Sequence, residues 1–235
     1  MRDIVLPLDK MPHITLCPSV FNLQPISLRA LDTYIGPCIR RHAIDADAVS
    51  YREKAGNRKL IYACMGSQIN VYPQKVRQFF KAVIDCMSKP EMNSFYLVLS
   101  AGGSNLIQDN PSLPPNMDVV KWVSQISLLQ VADLAVIHGG LGSVKECIYQ
   151  GIPMIIIPMV RDQFDNADRV VKHGLGEQLN IEALSPEKLC ALLLKIAASG
   201  AVKERVSAMQ QVFRTEEDKK SEIPFLANLL GTPVV

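Results

Sequence analysis

From Lys59 onward, short uninterrupted apolar runs alternate with stretches whose apolar residues recur at helical spacing, and this alternation constrains the fold more than anything else in the chain. Leu60-Ile61-Tyr62-Ala63-Cys64, Phe95-Tyr96-Leu97-Val98-Leu99, Leu134-Ala135-Val136-Ile137 and Met154-Ile155-Ile156-Ile157 have no polar face. A strand with one wet face would alternate apolar with polar residues, so these strands must be covered on both sides. Val76, Phe79, Phe80, Val83, Ile84 and Met87 mark the first intervening helix, and Val119-Val120 a further short strand. Helices are expected at about 142–150, 163–173, 186–198, 202–213 and 223–230. The predicted class is α/β, a doubly wound, mostly parallel, Rossmann-like sheet.

Residues 1–55 differ. Pro7, Pro12, Pro18, Pro25 and Pro37 forbid continuous helix, so one short strand around Ile14-Thr15-Leu16-Cys17 and a long connector are expected. The polar stretch 40–59 reads as a surface loop, and the charged run 214–222 as a solvated linker.

Composition narrows the function classes. Hydrophobic residues make up 48% of the chain, enough for a real core and too many for a disordered segment. The net charge of +2 builds no single-sign field for nucleic acid or an anionic membrane. The longest charge-free apolar stretch, 147–160, is broken by Gly151, Pro153 and Pro158, too short and too interrupted to span a bilayer. Cysteines 17, 38, 64, 86, 147 and 190 are scattered, with no Cys-x-x-Cys pair and no neighbouring His, so neither a disulfide framework nor a zinc site is expected. Buried thiols, and an N-terminus without signal-peptide features, suit the cytoplasm.

Ligands of parallel sheets bind at the carboxyl ends of the strands. After the fourth run comes His138-Gly139-Gly140-Leu141-Gly142-Ser143. Its glycines permit tight turning and close approach of a ligand, and the helix behind favours an anion such as phosphate. Glu146, one turn on, suits two adjacent hydroxyls, although Ser143-Val144-Lys145-Glu146 equally fits a capping box that needs no ligand. Trp122, the sole tryptophan, could stack on a nucleobase or simply fill core. Asp162-Gln163 suits sugar hydroxyls as a pair, while Asp162 alone reads as an N-cap. Asp45-Ala46-Asp47 imitates a metal motif without a preceding buried strand, and His173-Gly174 reads as a structural helix end.

In order and spacing, Trp122-Val123-Ser124-Gln125, His138-Gly139-Gly140, Gly142-Ser143, Glu146, Gly151-Ile152-Pro153-Met154, Pro158, Asp162-Gln163 and Asn166-Ala167 resemble the donor-binding signature of UDP-dependent glycosyltransferases, inverting enzymes of the two-domain GT-B fold. The Trp122–His138 spacing, Tyr34-Ile35-Gly36-Pro37-Cys38 and Met65-Gly66-Ser67 are similar to the bacterial macrolide group. The resemblance implies the C-terminal half of a GT-B fold, with 1–55 as the end of the acceptor domain and connector and 56–235 as the donor-binding domain. It implies that Trp122 stacks on uracil, with Gln125 near base and ribose, and that Glu146 holds the ribose hydroxyls. Ser67, His138, Gly140, Gly142 and Ser143 would surround the pyrophosphate, and Asp162 and Gln163 the sugar, a hexose such as glucose. The donor substrate is then a UDP-sugar, with no metal and no cofactor required.

Ser124 stands where the family's Trp-x-Pro-Gln has proline, and Cys147 where alanine is more common. The chain begins about where the acceptor domain would end, which makes it a truncated enzyme by this reading. None of His13, His42, His138 and His173 matches the family's catalytic base, so no catalytic residue is assigned. Transfer to a small-molecule acceptor would need a separate acceptor-binding half. The alternatives are a non-catalytic nucleotide-sugar binding module, a homodimer covering Ile223, Phe225, Leu226, Leu229 and Leu230, and, fitting less well, a GT-B-fold sugar-nucleotide epimerase.

Overall fold

The computed structural model describes residues 13–21, 32–40, 43–66, 72–102, 113–220, 223–225 and 227. The chain divides into two compact units, 40–211 and the pair of segments 1–39 and 212–235.

In the larger unit a helix, α1 (Ala46–Ala55), leads into β3 (Lys59–Cys64), α2 (Pro73–Met87), β4 (Phe95–Ser100), β5 (Met117–Val120), α3 (Gln125–Leu129) and β6 (Leu134–Ile137). Then follow α4 (Leu141–Gln150), β7 (Met154–Ile156), α5 (Asp162–Lys172), β8 (Gly176–Gln178), α6 (Pro186–Ala198) and the start of α7 (Gly200–Asp218). The smaller unit contains β1 (His13–Thr15) and β2 (Asp32–Tyr34), paired in parallel.

All six strands of the large sheet are parallel, in the order β5-β4-β3-β6-β7-β8. Counted from β3, this is the 3-2-1-4-5-6 order of the Rossmann fold. Apolar residues on every position of the central strands follow from the two helical layers. On one face Ile61, Ala63, Met65, Leu97, Leu99, Val136 and Ile155 pack with Phe79, Phe80 and Val83 of α2 and Leu189 and Leu193 of α6. Leu60, Tyr62, Cys64, Val98, Ala135, Ile137 and Ile156 alternate with them along the strands, point to the opposite face, and are equally buried.

Several expectations are corrected. The stretch 40–59 is not a loop: Asp45 caps α1 by accepting from the Ala48 amide at 2.9 Å, and Ala48 and Ala55 are buried. The polarity that suggested a loop lies on the exposed helix face, and the apparent metal motif is an N-cap and first turn. Helix α7 runs to Asp218, through much of the presumed linker, because Arg, Glu and Lys are good helix formers. Among the described residues two short strands, not one, precede α1. The sixth strand, β8, was missed because its three residues, Gly-Glu-Gln, carry no apolar signature.

Cys86 and Cys190, 104 residues apart, form a disulfide that joins α2 to α6, a pairing invisible to local spacing. Cys17, Cys64 and Cys147 are buried and Cys38 is exposed. The His173-Gly174 reading holds: Gly174 has φ 68°, and its N–H and that of Leu175 donate to Val171 and Val170 carbonyls, both at 2.9 Å.

In the smaller unit the Phe21 and Phe213 rings meet edge to face at 6.2 Å, and the Ile39 amide donates to Glu217 at 3.1 Å. Of the predicted terminal helix, Leu226, Leu229 and Leu230 lie outside the described side chains, while Ile223 is exposed. Among the described residues no helix is long and apolar enough to cross a membrane.

Candidate functional site

The chain leaves β3 toward β4 on one side and leaves β6 toward β7 on the other, so a crevice opens between the carboxyl ends of these neighbouring strands. A cleft of about 1270 Å³ lies there. Trp122, Gln125, His138, Gly140, Gly142, Ser143 and Glu146 all line it. Asp162 and Gln163 line an adjoining pocket of about 180 Å³, whose wall also includes His138 and Gly140. Ser67 lies outside the described residues.

Trp122 follows β5 and is 75% exposed, which excludes the core reading. Ser124, in the place of the family's proline, caps α3: its hydroxyl accepts from the Ser127 amide, with Ser124 at φ −65°, a value proline also adopts. The departure from the motif therefore leaves the helix start intact.

Gln125, the first residue of α3, uses its whole amide. Its Oε1 accepts from the Tyr62 hydroxyl at 2.9 Å and the Cys64 thiol at 3.5 Å. Its Nε2 donates to Ser143 Oγ at 3.1 Å and to Glu146 Oε2. Burial pushes the Glu146 carboxyl up, while the Gln125 amide and the charges of Lys145 and Arg40 pull it back.

The capping-box reading of Ser143 and Glu146 is overturned. Helix α4 begins two residues before Ser143, its N-cap is Gly140, and no side chain caps it. The first-turn N–H groups have no partner within the helix. At Gly142 an added side-chain carbon would meet nothing within 4 Å, so no neighbouring protein atom demands glycine there. The first turn of α4 is thus an open, uncapped helix N-terminus on the cleft.

His138 stands at the junction of the two pockets. A carbon built on Gly66 would lie 2.5 Å from its ring and one on Gly140 2.7 Å, so two glycines make room for the imidazole. Its buried Nδ1 has no hydrogen-bond partner among the described residues. Burial lowers its pKa, with the Asp162 charge partly opposing, so the ring is neutral at pH 7 and can donate from one nitrogen.

Asp162 opens α5 but is not its N-cap. That position is Arg161, whose φ of 52° is rare for a residue with a side chain. Asp162 accepts instead from the Asn166 amide at 3.1 Å, and buried Asn166 also donates to the Gly139 carbonyl at 2.9 Å, tying the glycine loop to α5. Gln163 Oε1 accepts from the Met159 and Val160 amides at 2.9 and 3.1 Å, which fixes the loop after β7.

Residues 5–219 match the family described as "UDP-glucoronosyl and UDP-glucosyl transferase". The chain belongs to that family. It is 28% identical over 193 residues to UDP-glucuronosyltransferase 3A1 of Xenopus laevis, covering 80% of this chain and 36% of that protein. It is 28% identical to the oleandomycin glycosyltransferase of Streptomyces antibioticus, covering 76% of this chain and 39% of that one. Among solved structures, the glycotransferase of kitacinnamycin superposes with a TM-score of 0.74 at 31% identity, over 87% of this chain and 51% of that one. The chain thus spans about a third to a half of the length of these relatives. Its Rossmann-like sheet is that of a C-terminal domain in the GT-B fold of UDP-glycosyltransferases.

Sequence reasoning assembled most of this site but missed Tyr62 and Cys64. The signal was present: in a strand buried on both sides, positions 60, 62 and 64 share one face, and a hydroxyl and a thiol there need partners.

Proposed function

We propose that this domain holds the UDP-sugar donor for inverting transfer of a hexose to an acceptor hydroxyl. The observation that carries the reading is that an exposed indole, a carboxylate and an uncapped helix N-terminus line one cleft at the crossover of the sheet. Trp122 stacks on the uracil and Glu146 accepts from the ribose hydroxyls. The first turn of α4, the Ser143 hydroxyl and the neutral His138 ring hold the diphosphate, and Asp162 and Gln163 bind the sugar.

In the reaction the acceptor oxygen attacks the anomeric carbon from the face opposite the diphosphate. The bond from that carbon to the diphosphate breaks, and UDP departs with the electron pair. Fixed N–H donors stabilise the charge that develops on the leaving group, and no metal is needed for that role. In this reading His138, Glu146 and Asp162 are engaged by the donor, so the acceptor's proton goes to a base outside the cleft. Transfer in this reading needs an acceptor-binding half beside the donor-binding domain.

Trp122 is the sole tryptophan, so intrinsic fluorescence reports on the proposed base platform directly. Titration with UDP is expected to quench it saturably and more strongly than dTDP or ADP, with Trp122→Phe as the blank. No change with any nucleotide would overturn the donor-site reading. Co-expression with an acceptor-binding half then separates an enzyme from a binding module, since only the former gains transfer activity.

A further inference from the structure

Gln125 is held from two sides by groups of opposite kind. From β3 come two donors, the Tyr62 hydroxyl at 2.9 Å and the Cys64 thiol at 3.5 Å, both on the amide oxygen. From α4 come two acceptors, Ser143 Oγ at 3.1 Å and the Glu146 carboxylate, both on the amide nitrogen. A primary amide turned by 180° would place its oxygen against the Glu146 carboxylate, oxygen against oxygen. The donors on β3 oppose that turn by requiring an acceptor on their side. Burial pushes the Tyr62 phenol and the Cys64 thiol up, so both keep their protons at neutral pH and remain donors.

We infer that Tyr62 is a positioning residue that acts through Gln125 to hold Glu146 for a ribose diol, and so selects ribonucleoside over 2′-deoxyribonucleoside diphosphates at this cleft. The inference rests on the donor-site reading above and adds to it the groups that set nucleotide selection. With Oε2 engaged by Gln125, Glu146 is fixed in one rotamer and keeps Oε1 for the sugar hydroxyls. Ser143 accepts from Gln125, which leaves its own proton for another acceptor. Without the phenol, the amide oxygen keeps only a weak thiol donor, so the amide is oriented from the Glu146 side alone and holds the carboxylate less firmly. A nucleotide lacking the 2′-hydroxyl asks less of that carboxylate and loses less.

Tyr62→Phe removes one oxygen from a buried ring without changing its shape. Calorimetric titration of the intact chain with UDP and 2′-deoxy-UDP tests the role. The wild type is expected to prefer UDP, and Tyr62→Phe to weaken UDP about five- to tenfold, the worth of one net hydrogen bond, with 2′-deoxy-UDP changed less than about twofold. In a Glu146→Gln background, Tyr62→Phe should then alter UDP affinity little, because its effect passes through the carboxylate.

Equal weakening of both nucleotides, an unchanged UDP affinity, or full additivity with Glu146→Gln would each overturn the positioning role while leaving the donor site standing. A wild type that binds neither nucleotide overturns the donor site and the positioning role together. Thermal denaturation of each variant checks that the chain folds. If Tyr62→Phe does not, Gln125→Glu places a carboxylate against Glu146 and should erase the preference for UDP in the same way.

Discussion

Gly66 at the end of β3 and His138 at the end of β6 fit so closely that a methyl group on the glycine would lie 2.5 Å from the imidazole. Gly66 also has φ 74°, a conformation that disfavours any side chain. Gly66→Ala should therefore destabilise the domain by about 1–3 kcal/mol and push His138 out of the junction between the pockets. Urea denaturation reads the first effect. The second should appear as a larger loss of affinity for UDP than for uridine if His138 holds the diphosphate as proposed.

Trp122 separates stability from binding. With 75% of its surface exposed, its removal takes little from the core. Trp122→Ala is expected to change stability by less than about 0.5 kcal/mol. UDP affinity should fall by about 1–3 kcal/mol, the contribution of one base stacked on an aromatic ring. Thermal denaturation beside calorimetry decides the matter, and a large drop in melting temperature would contradict the exposed placement.

Burial holds the His138 pKa below the ordinary imidazole value of 6.5. The unfolded chain therefore binds more protons than the folded one as pH falls through that value. The stability linked to this group is present above pH 6.5 and is lost as pH drops toward the folded-state pKa. His138→Asn should flatten that part of the profile, measured by urea unfolding between about pH 8 and pH 5. An identical slope in both proteins would show that other groups carry it.

Arg161 sits at the start of α5 with φ 52° and ψ −132°, where a side chain is strained. Glycine adopts this conformation freely, although it raises the entropy of the unfolded chain. Arg161→Gly should accordingly stabilise the domain by about 1 kcal/mol, visible as a rise of about 2–4 °C in melting temperature. A fall would mean that the guanidinium makes a compensating contact.

Much of the fold was legible because its signals are local. Each central strand declares its burial on both faces in a handful of consecutive residues, and the helix expected at 186–198 is α6 to the residue. Where local signals were ambiguous the reading went wrong. Helix α1 carries so many charges that its two buried alanines escaped notice, and α7 continues through residues that are charged yet helix-forming. The capping-box reading failed on register: Ser143 lies inside the helix it was expected to begin. At the site, the glycine loop, Trp122 and the Asp162-Gln163 pair were visible as motifs, whereas Tyr62 and Cys64 lay hidden in an apolar run.

The class of fold and the motifs that line the cleft are written in short stretches of sequence. Apolar periodicity and turn chemistry are properties of neighbouring residues. Adjacency between distant residues arises only when the chain is folded. The strand order sets β3 beside β6, so that Gly66 meets His138 and Tyr62 reaches Gln125, 63 residues away. The same folding brings Cys86 to Cys190 across 104 residues. Such contacts depend on how whole strands and helices pack to bury their apolar faces together, a condition no single segment contains.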